Sequence, residues 1–349
     1  MKTNWKNKIS NSHQLGGIET SVLDNGAGRG NRIAWINTGS GLRYKVSIDR
    51  GLDIADAFFN GHSLAWISPL GMTQPQIFSD RGLDWLRTFG GGLLVTCGLS
   101  HVGGPESDEH GQRGLHGFIS NIPAEISSIT QPDLSRDQFE ISITGVIRET
   151  KIFGPSLVMT RTIKSKLGES SIIIHDEIYN QGNTPAPHMI LYHFNFGWPL
   201  VDEGTRLIWN GQLIPRMDAN GKIMDQSAFP KVCPPPLEKH NGTGEEVAFI
   251  DVQPDPDGTA TAGLYNAALG LAVKMTYKKA QLPWLTNWQH WGKGEYVTGI
   301  EPGTHPPIGQ SAARKAGTLI ELKPGERISY DIQLDVVDQP KEIETLLNK

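Results

Sequence analysis

Ile328-Ser329-Tyr330-Asp331-Ile332-Gln333-Leu334-Asp335-Val336 puts an apolar side chain at every second position and a polar one between. Successive side chains of an extended chain point to opposite faces, so this run reads as a β-strand with one face in a core and the other in water. The same period recurs at Leu42, Tyr44, Val46 and Ile48, at Phe139, Ile141 and Ile143, and at Leu271, Val273, Met275 and Tyr277. Two further strand-like runs, Leu157 to Ile163 and Ile172 to Tyr179, flank Lys166-Leu167-Gly168-Glu169, a short polar connection suited to a hairpin. Lys323-Pro324-Gly325-Glu326 is a second such turn. Helical spacing is confined to a turn around Asp84 to Phe89 and to 340–348, where Ile343, Leu346 and Leu347 share a side. The expected fold class is all-β, a large antiparallel β-sandwich.

The chain has 349 residues with 40 glycines and 22 prolines, enough length for a sizeable core and enough punctuation for many turns. With no internal repeat, low-complexity tract or linker, one sandwich domain over 1–349 is expected, with its core at about 40–337. The stretch Lys231 to Gly244, with Pro234-Pro235-Pro236, reads as an insertion. A net charge of -5 and the lack of a basic run interleaved with aromatics argue against a nucleic-acid partner. The polar start, Met1-Lys2-Thr3-Asn4-Trp5-Lys6, holds no apolar stretch, so neither signal peptide nor membrane span is expected and the default location is cytoplasmic. Cys97 and Cys233 are far apart, without metal-ligand spacing, and read as ordinary thiols. Gly90-Gly91-Gly92 lacks the lysine and helix start of a phosphate cradle, so tight turns or close packing are the expected role. No cofactor is expected.

The informative positions are histidines beside glycine or aromatic residues, and one acid in a proline-glycine turn. Leu115-His116-Gly117 sets an imidazole beside a residue that lets another backbone approach closely. In Tyr192-His193-Phe194-Asn195-Phe196-Gly197-Trp198, His193 and Asn195 share one face of a strand while Tyr192, Phe194 and Phe196 share the other. Glu301 ends an apolar run, Val297-Thr298-Gly299-Ile300, just before Pro302-Gly303. Its carboxylate should stand at a sheet rim in partly apolar surroundings, which raises a carboxyl pKa toward the range of a general base. Gln289, flanked by Trp288 and Trp291, suits a sugar, because indoles stack on C–H faces and an amide bonds paired hydroxyls. Asn195, the following exposed-type Trp198, Arg50, Arg87 and, more weakly, His101 are further candidates for substrate contact, and Arg50 serves as well in an ion pair with an aspartate that orients loops.

These residues together resemble the landmarks of galactose mutarotase-like aldose 1-epimerases: Leu115-His116-Gly117, then Tyr192 to Gly197, then Ile300-Glu301-Pro302, with Leu322 to Glu326 near the end. Arg50 to Ile54, Phe89 to Leu93 and Thr96 to Leu99 resemble more closely a poorly characterised branch of that superfamily, and the match spans about residues 40 to 337. The resemblance implies a twisted β-supersandwich, Glu301 as general base, His193 as general acid and His116 assisting at the ring oxygen. Two departures stand out. Asn31-Arg32-Ile33 lies too near the start to match the family's internal Asn-Arg-Ile, and no counterpart of its substrate-binding aspartate is placed between His193 and Glu301.

The expected activity is aldose 1-epimerisation of a small sugar: proton removal from the C1 hydroxyl, proton donation to the ring oxygen, rotation of the open aldehyde and reclosure. An isomerase acting at another carbon uses the same acid and base. Two other classes stay open: a carbohydrate-binding protein without turnover, and a cupin-like isomerase with histidine metal ligands drawn from separate strands.

Overall fold

The computed structural model describes residues 8–76, 79–216, 224 and 229–349. The start Met1 to Lys6 lies outside the described residues. Two large sheets carry the fold, and every strand pair in them is antiparallel. At the centre of the larger, twelve-stranded sheet, Leu94–Leu99, Ala186–Gly197, Glu295–Gly303, Trp284–Gly292 and Glu246–Val252 lie side by side in that order. The smaller, eight-stranded sheet holds Leu271–Lys278, Arg327–Val337, Ser171–Asn180, Ser156–Lys166 and Glu140–Thr150 in its middle. This is the all-β antiparallel sandwich expected from the alternating runs.

Each alternating run falls in a strand, and its apolar members meet between the sheets. Tyr44, Ile143, Met159, Ile174, Met275, Tyr330 and Ile332 all join one buried cluster with Tyr192, Phe194 and Phe196. Lys166 to Glu169 turns the hairpin between Ser156–Lys166 and Ser171–Asn180. The last helix, Pro340–Leu347, buries Ile343 and Leu346 against Ala272 and Val337.

Three features differ from expectation. The larger sheet begins at Gly17–Val22 and Arg32–Asn37, earlier than residue 40. A helix spans Gln310–Lys315, where no helical spacing was noted. The larger sheet also has apolar groups on its second face. Trp85, Phe89, Val95, Cys97, Met189 and Leu191 form a separate cluster there, with Trp66 and Trp288 packed against it. Leu94–Leu99 is therefore buried along its whole length, and alternation vanishes where both faces are covered.

Candidate active site

The strand Ala186–Gly197 sends Tyr192, Phe194 and Phe196 into the core between the sheets, so His193 and Asn195 must face the other way. His193 is flanked by Val95 on one neighbouring strand. The pairing of Phe194 with Ile300 sets Glu301 opposite His193 on the other neighbour, and Thr286 faces Glu301 in turn. Directly opposed residues share a face, with Cβ atoms about 4.5–5.5 Å apart. His193 Nε2 accordingly lies 3.3 Å from Glu301 Oε1. One row further on, Gly299 stands between Asn195 and Trp288. A Cβ on Gly299 would fall 2.2 Å from Glu301 Oε1, so its missing side chain is the space that the carboxylate occupies.

His116 reaches this face from a loop. Its backbone N–H donates to Gly103 O, its carbonyl accepts from Gly98 N, and Gly117 lies so close to Gly98 O that a Cβ would come within 2.5 Å. His116 adopts φ 58°, a left-handed conformation that is costly for a residue with a side chain and that occurs preferentially at functional positions. Its ring stands 6.1 Å from that of His193 and 5.0 Å from that of Trp85. Phe89 and Trp288 pack on His193 at 5.3 and 5.5 Å, and Trp85 stacks on Phe89 at 4.3 Å. The two imidazoles and the carboxylate thus lie in an aromatic enclosure.

Burial decides their protonation. Glu301 is 2% exposed, and this desolvation, helped by the nearby charge of Glu245, raises its pKa well above the ordinary carboxylate value. Burial pushes His193 down to about 4, with the Asn195 side chain opposing it in part. Burial, aided by His193 and His101, pushes His116 down to about 3. Burial thus opposes charge on all three groups, the carboxyl raised and both imidazoles lowered, while His193 Nε2 faces Glu301 Oε1. Among the described residues, Glu301 Oε1, His193 Nδ1, His116 Nδ1 and Asn195 Oδ1 are buried without a hydrogen-bond partner. Buried polar groups are normally satisfied, so four orphans around one enclosure mark it as built for a polar ligand.

The other expected contacts divide. Asn195 is on the face, held by Nδ2–H bonds to Gly92 O and His193 O. Gln289 is not: it points to the opposite side of its strand, where its amide donates to Pro230 O and Asn287 Oδ1 and accepts from Trp291 Nε1. Trp291 is fully buried in the core, so of that pair only Trp288 packs beside His193. Arg50 is buried and clamps loops, donating to the carbonyls of Ser120, Thr73 and Thr88, and burial lowers it to about 10. Arg50 thus ties loops together, but through main-chain carbonyls rather than the expected ion pair with an aspartate. His101 is locked as well, its Nε2 on Gly104 O and its Nδ1 accepting from Gln310 N. Arg87 is 84% exposed and pairs with Asp84 at 3.3 Å, on the turn whose Trp85 faces the site. Trp198 is 68% exposed and lines a cleft of about 500 Å³ that shares Trp66 with the enclosure. The triple glycine packs closely, since a Cβ on Gly90, Gly91 or Gly92 would meet the carbonyl of Gly71, Trp66 or Ile54 within 2.8 Å.

The family model described as Domain of unknown function (DUF4432) matches residues 28–336. The chain belongs to the DUF4432 family. No curated protein shows significant sequence similarity to it. Among solved structures, this DUF4432 chain is similar to a candidate aldose 1-epimerase from Klebsiella pneumoniae at 25% identity and TM-score 0.82, over 99% of this chain and 93% of the other. A galactose mutarotase-like protein from Clostridium acetobutylicum matches at 14% identity and TM-score 0.67, over 93% of this chain and 100% of that one. Galactose 1-epimerase from Lactobacillus acidophilus matches at 12% identity and TM-score 0.61, over 92% and 99%. The resemblance read from the sequence, to a poorly characterised branch of the aldose 1-epimerase superfamily, is borne out by these neighbours and by the family match.

Sequence reading missed Trp85, Phe89 and Glu245 in this DUF4432 site. Glu245 Oε2 accepts the indole N–H of Trp288 at 2.8 Å and lies close enough to act on Glu301. Its only sequence signal is an acid pair, Glu245-Glu246, preceding an apolar run. No group of three His, Cys, Asp or Glu side chains arranged to hold a metal ion occurs among the described residues, and no described helix is long and apolar enough to cross a membrane.

Proposed function

We propose that this chain is a carbohydrate isomerase of the aldose 1-epimerase type, interconverting the anomers of a sugar by acid–base ring opening and closure. The observation that carries the reading is the register itself: His193 and Glu301 face one another 3.3 Å apart on adjacent strands, both buried. Ring opening at an anomeric carbon needs a group that takes the C1 hydroxyl proton and another that protonates the ring oxygen.

With one proton on the pair and that proton on Glu301, Glu301 gives it to the ring oxygen as the C1–O bond breaks, and His193 takes the proton of the C1 hydroxyl, leaving a neutral aldehyde between a carboxylate and an imidazolium. Rotation about C1–C2 presents the other carbonyl face. Reclosure returns each proton along the same route. The tautomer with the proton on His193 has the roles that the family resemblance implies, Glu301 as base and His193 as acid, and it balances equally. His116, neutral and 6.1 Å from His193 ring to ring, assists at the oxygen that changes charge. Trp288 and Phe89 offer faces for the sugar C–H groups, and Asn195 Oδ1 accepts from a hydroxyl.

Saturation-transfer NMR of anomer exchange across neutral, acidic and phosphorylated aldoses, with wild type and Glu301→Gln, tests this. Catalysed exchange with at least one aldose, reduced roughly 10²–10⁴-fold in Glu301→Gln, is expected. Binding without exchange across the panel would falsify anomer interconversion and favour a carbohydrate-binding protein or chemistry at another carbon.

A further inference from the structure

Trp198 takes no part in the proton transfers above, yet a large indole lies 68% exposed at the end of the strand that carries His193. Exposed tryptophans at a concave surface mark recognition sites, because an indole left in water forgoes a large burial term. The cleft beside it measures about 500 Å³, within the range of small-molecule sites. Its chemistry is specific: the indoles of Trp198 and Trp66, the ring of Tyr296, and the acids Asp202 and Glu203, with no lysine or arginine among the described lining residues. Indole faces stack on sugar C–H groups and carboxylates accept from hydroxyls, whereas the same acids repel an anionic ligand.

Trp66 joins this cleft to the catalytic enclosure. Its ring lies 5.7 Å from that of Phe89 and 6.1 Å from that of Trp288. It is held rigidly, since a Cβ on Gly91 would meet its Cε3 at 2.9 Å and a Cβ on Gly197 its Cα at 2.7 Å. Five residue steps separate His193 from Trp198, roughly 17 Å of strand at about 3.3 Å per residue. That span exceeds a single sugar ring.

We propose that the Trp198–Trp66 cleft is a second carbohydrate subsite, which holds a later ring of a neutral oligosaccharide whose reducing end occupies the His193–Glu301 enclosure. The placement of the reducing end rests on the epimerase reading above; the subsite itself rests on the cleft.

The test is a ligand-observed NMR titration of wild type, Trp198→Ala and Trp198→Phe with glucose, xylose and galactose, and with the cello-, malto-, xylo- and β-galacto-oligosaccharides of two and three units. At least one series should bind about tenfold tighter than its own monosaccharide. That ratio should fall to about one in Trp198→Ala and be partly kept in Trp198→Phe. A ratio that survives Trp198→Ala, or no series with a ratio above one, overturns the subsite. Anomer exchange read in the same samples separates the two readings. Oligosaccharide binding through Trp198 without exchange sinks the epimerase and leaves the subsite, and exchange of monosaccharides without any preference for longer chains does the reverse.

Discussion

Glu301 and His193 are each shifted against the charge their residue type usually carries, the acid raised and the base lowered, both by burial. The pair acts only while it holds one proton. As pH falls through about 4, His193 takes a second proton and the acceptor is lost; as pH rises through the raised Glu301 value, the only proton is lost. The acid limb of kcat/KM should therefore fall near 4, below the ordinary imidazole value near 6.5, with the basic limb set by the raised Glu301 carboxyl. An acid limb at about 6.5 would show His193 to be solvated and the shared-proton account wrong. Gly299→Ala offers a second check. The strand backbone accepts alanine, but the new methyl claims the place of Glu301 Oε1. A displaced carboxylate should lower exchange roughly 100-fold with the fold retained by circular dichroism. His193, Asn195 and Glu301 were legible because strand alternation assigns a face from local sequence alone. Gly299 was not, since its role depends on a side chain two residues away that shares its face.

The turn Asp84–Arg87 brings Trp85 and, just after it, Phe89 onto the imidazoles. Trp85→Ala should cost about 3–5 kcal/mol in a denaturant titration, the usual effect of deleting a buried aromatic. Opening that wall should also let water reach His116, whose pKa rises from about 3 toward its ordinary value, read as a shift of its ring proton resonances. If His116 keeps its low value, the wall is not what desolvates it. Exposed-face strands such as Arg327–Val337 were readable to within a residue or two from their period. Leu94–Leu99, buried throughout, carried no period to read. The turn at Asp84 was visible, but its contact with residues 116 and 193 is a matter of tertiary packing that no local pattern encodes. Gln289 shows the converse: a residue of apt chemistry was assigned to the sugar although its neighbour Trp288, one step along the strand, takes the opposite face.

The two sheets are tied through polar groups as well as by apolar packing. Arg161, fully buried, forks onto both oxygens of Asp176 at 2.8 and 2.6 Å within the smaller sheet and reaches Asp53 of the larger one at 2.6 Å. Tyr192, the neighbour of His193, crosses in the other direction to donate to Asp176 at 2.8 Å. The two acids outweigh the burial of the guanidinium and raise its pKa, so the charge persists in the core. Arg161→Ala leaves two buried acids unpaired and should cost about 3–5 kcal/mol in guanidinium unfolding, far more than a surface arginine. A loss within about 0.5 kcal/mol would mean that the acids protonate or find water at little cost. The signal was present in the sequence: Leu157, Met159 and Ile163 alternate inward, and Arg161 takes the third place in that series. The sandwich itself was legible because alternation is repeated in many strands, whereas which strands become neighbours is set by pairings between distant parts of the chain, as when Leu94–Leu99 meets Ala186–Gly197.

Because His193 and Glu301 oppose each other across adjacent strands, the gap between proton donor and acceptor is ruled by the ladder of main-chain hydrogen bonds rather than by any loop. Under the proposed function, the proton transfers are thus fixed by the sheet, while Trp85, Glu245 and Trp198 come from segments outside its strands. Substitutions in those segments should therefore alter what binds while leaving the 3.3 Å separation of His193 and Glu301 unchanged.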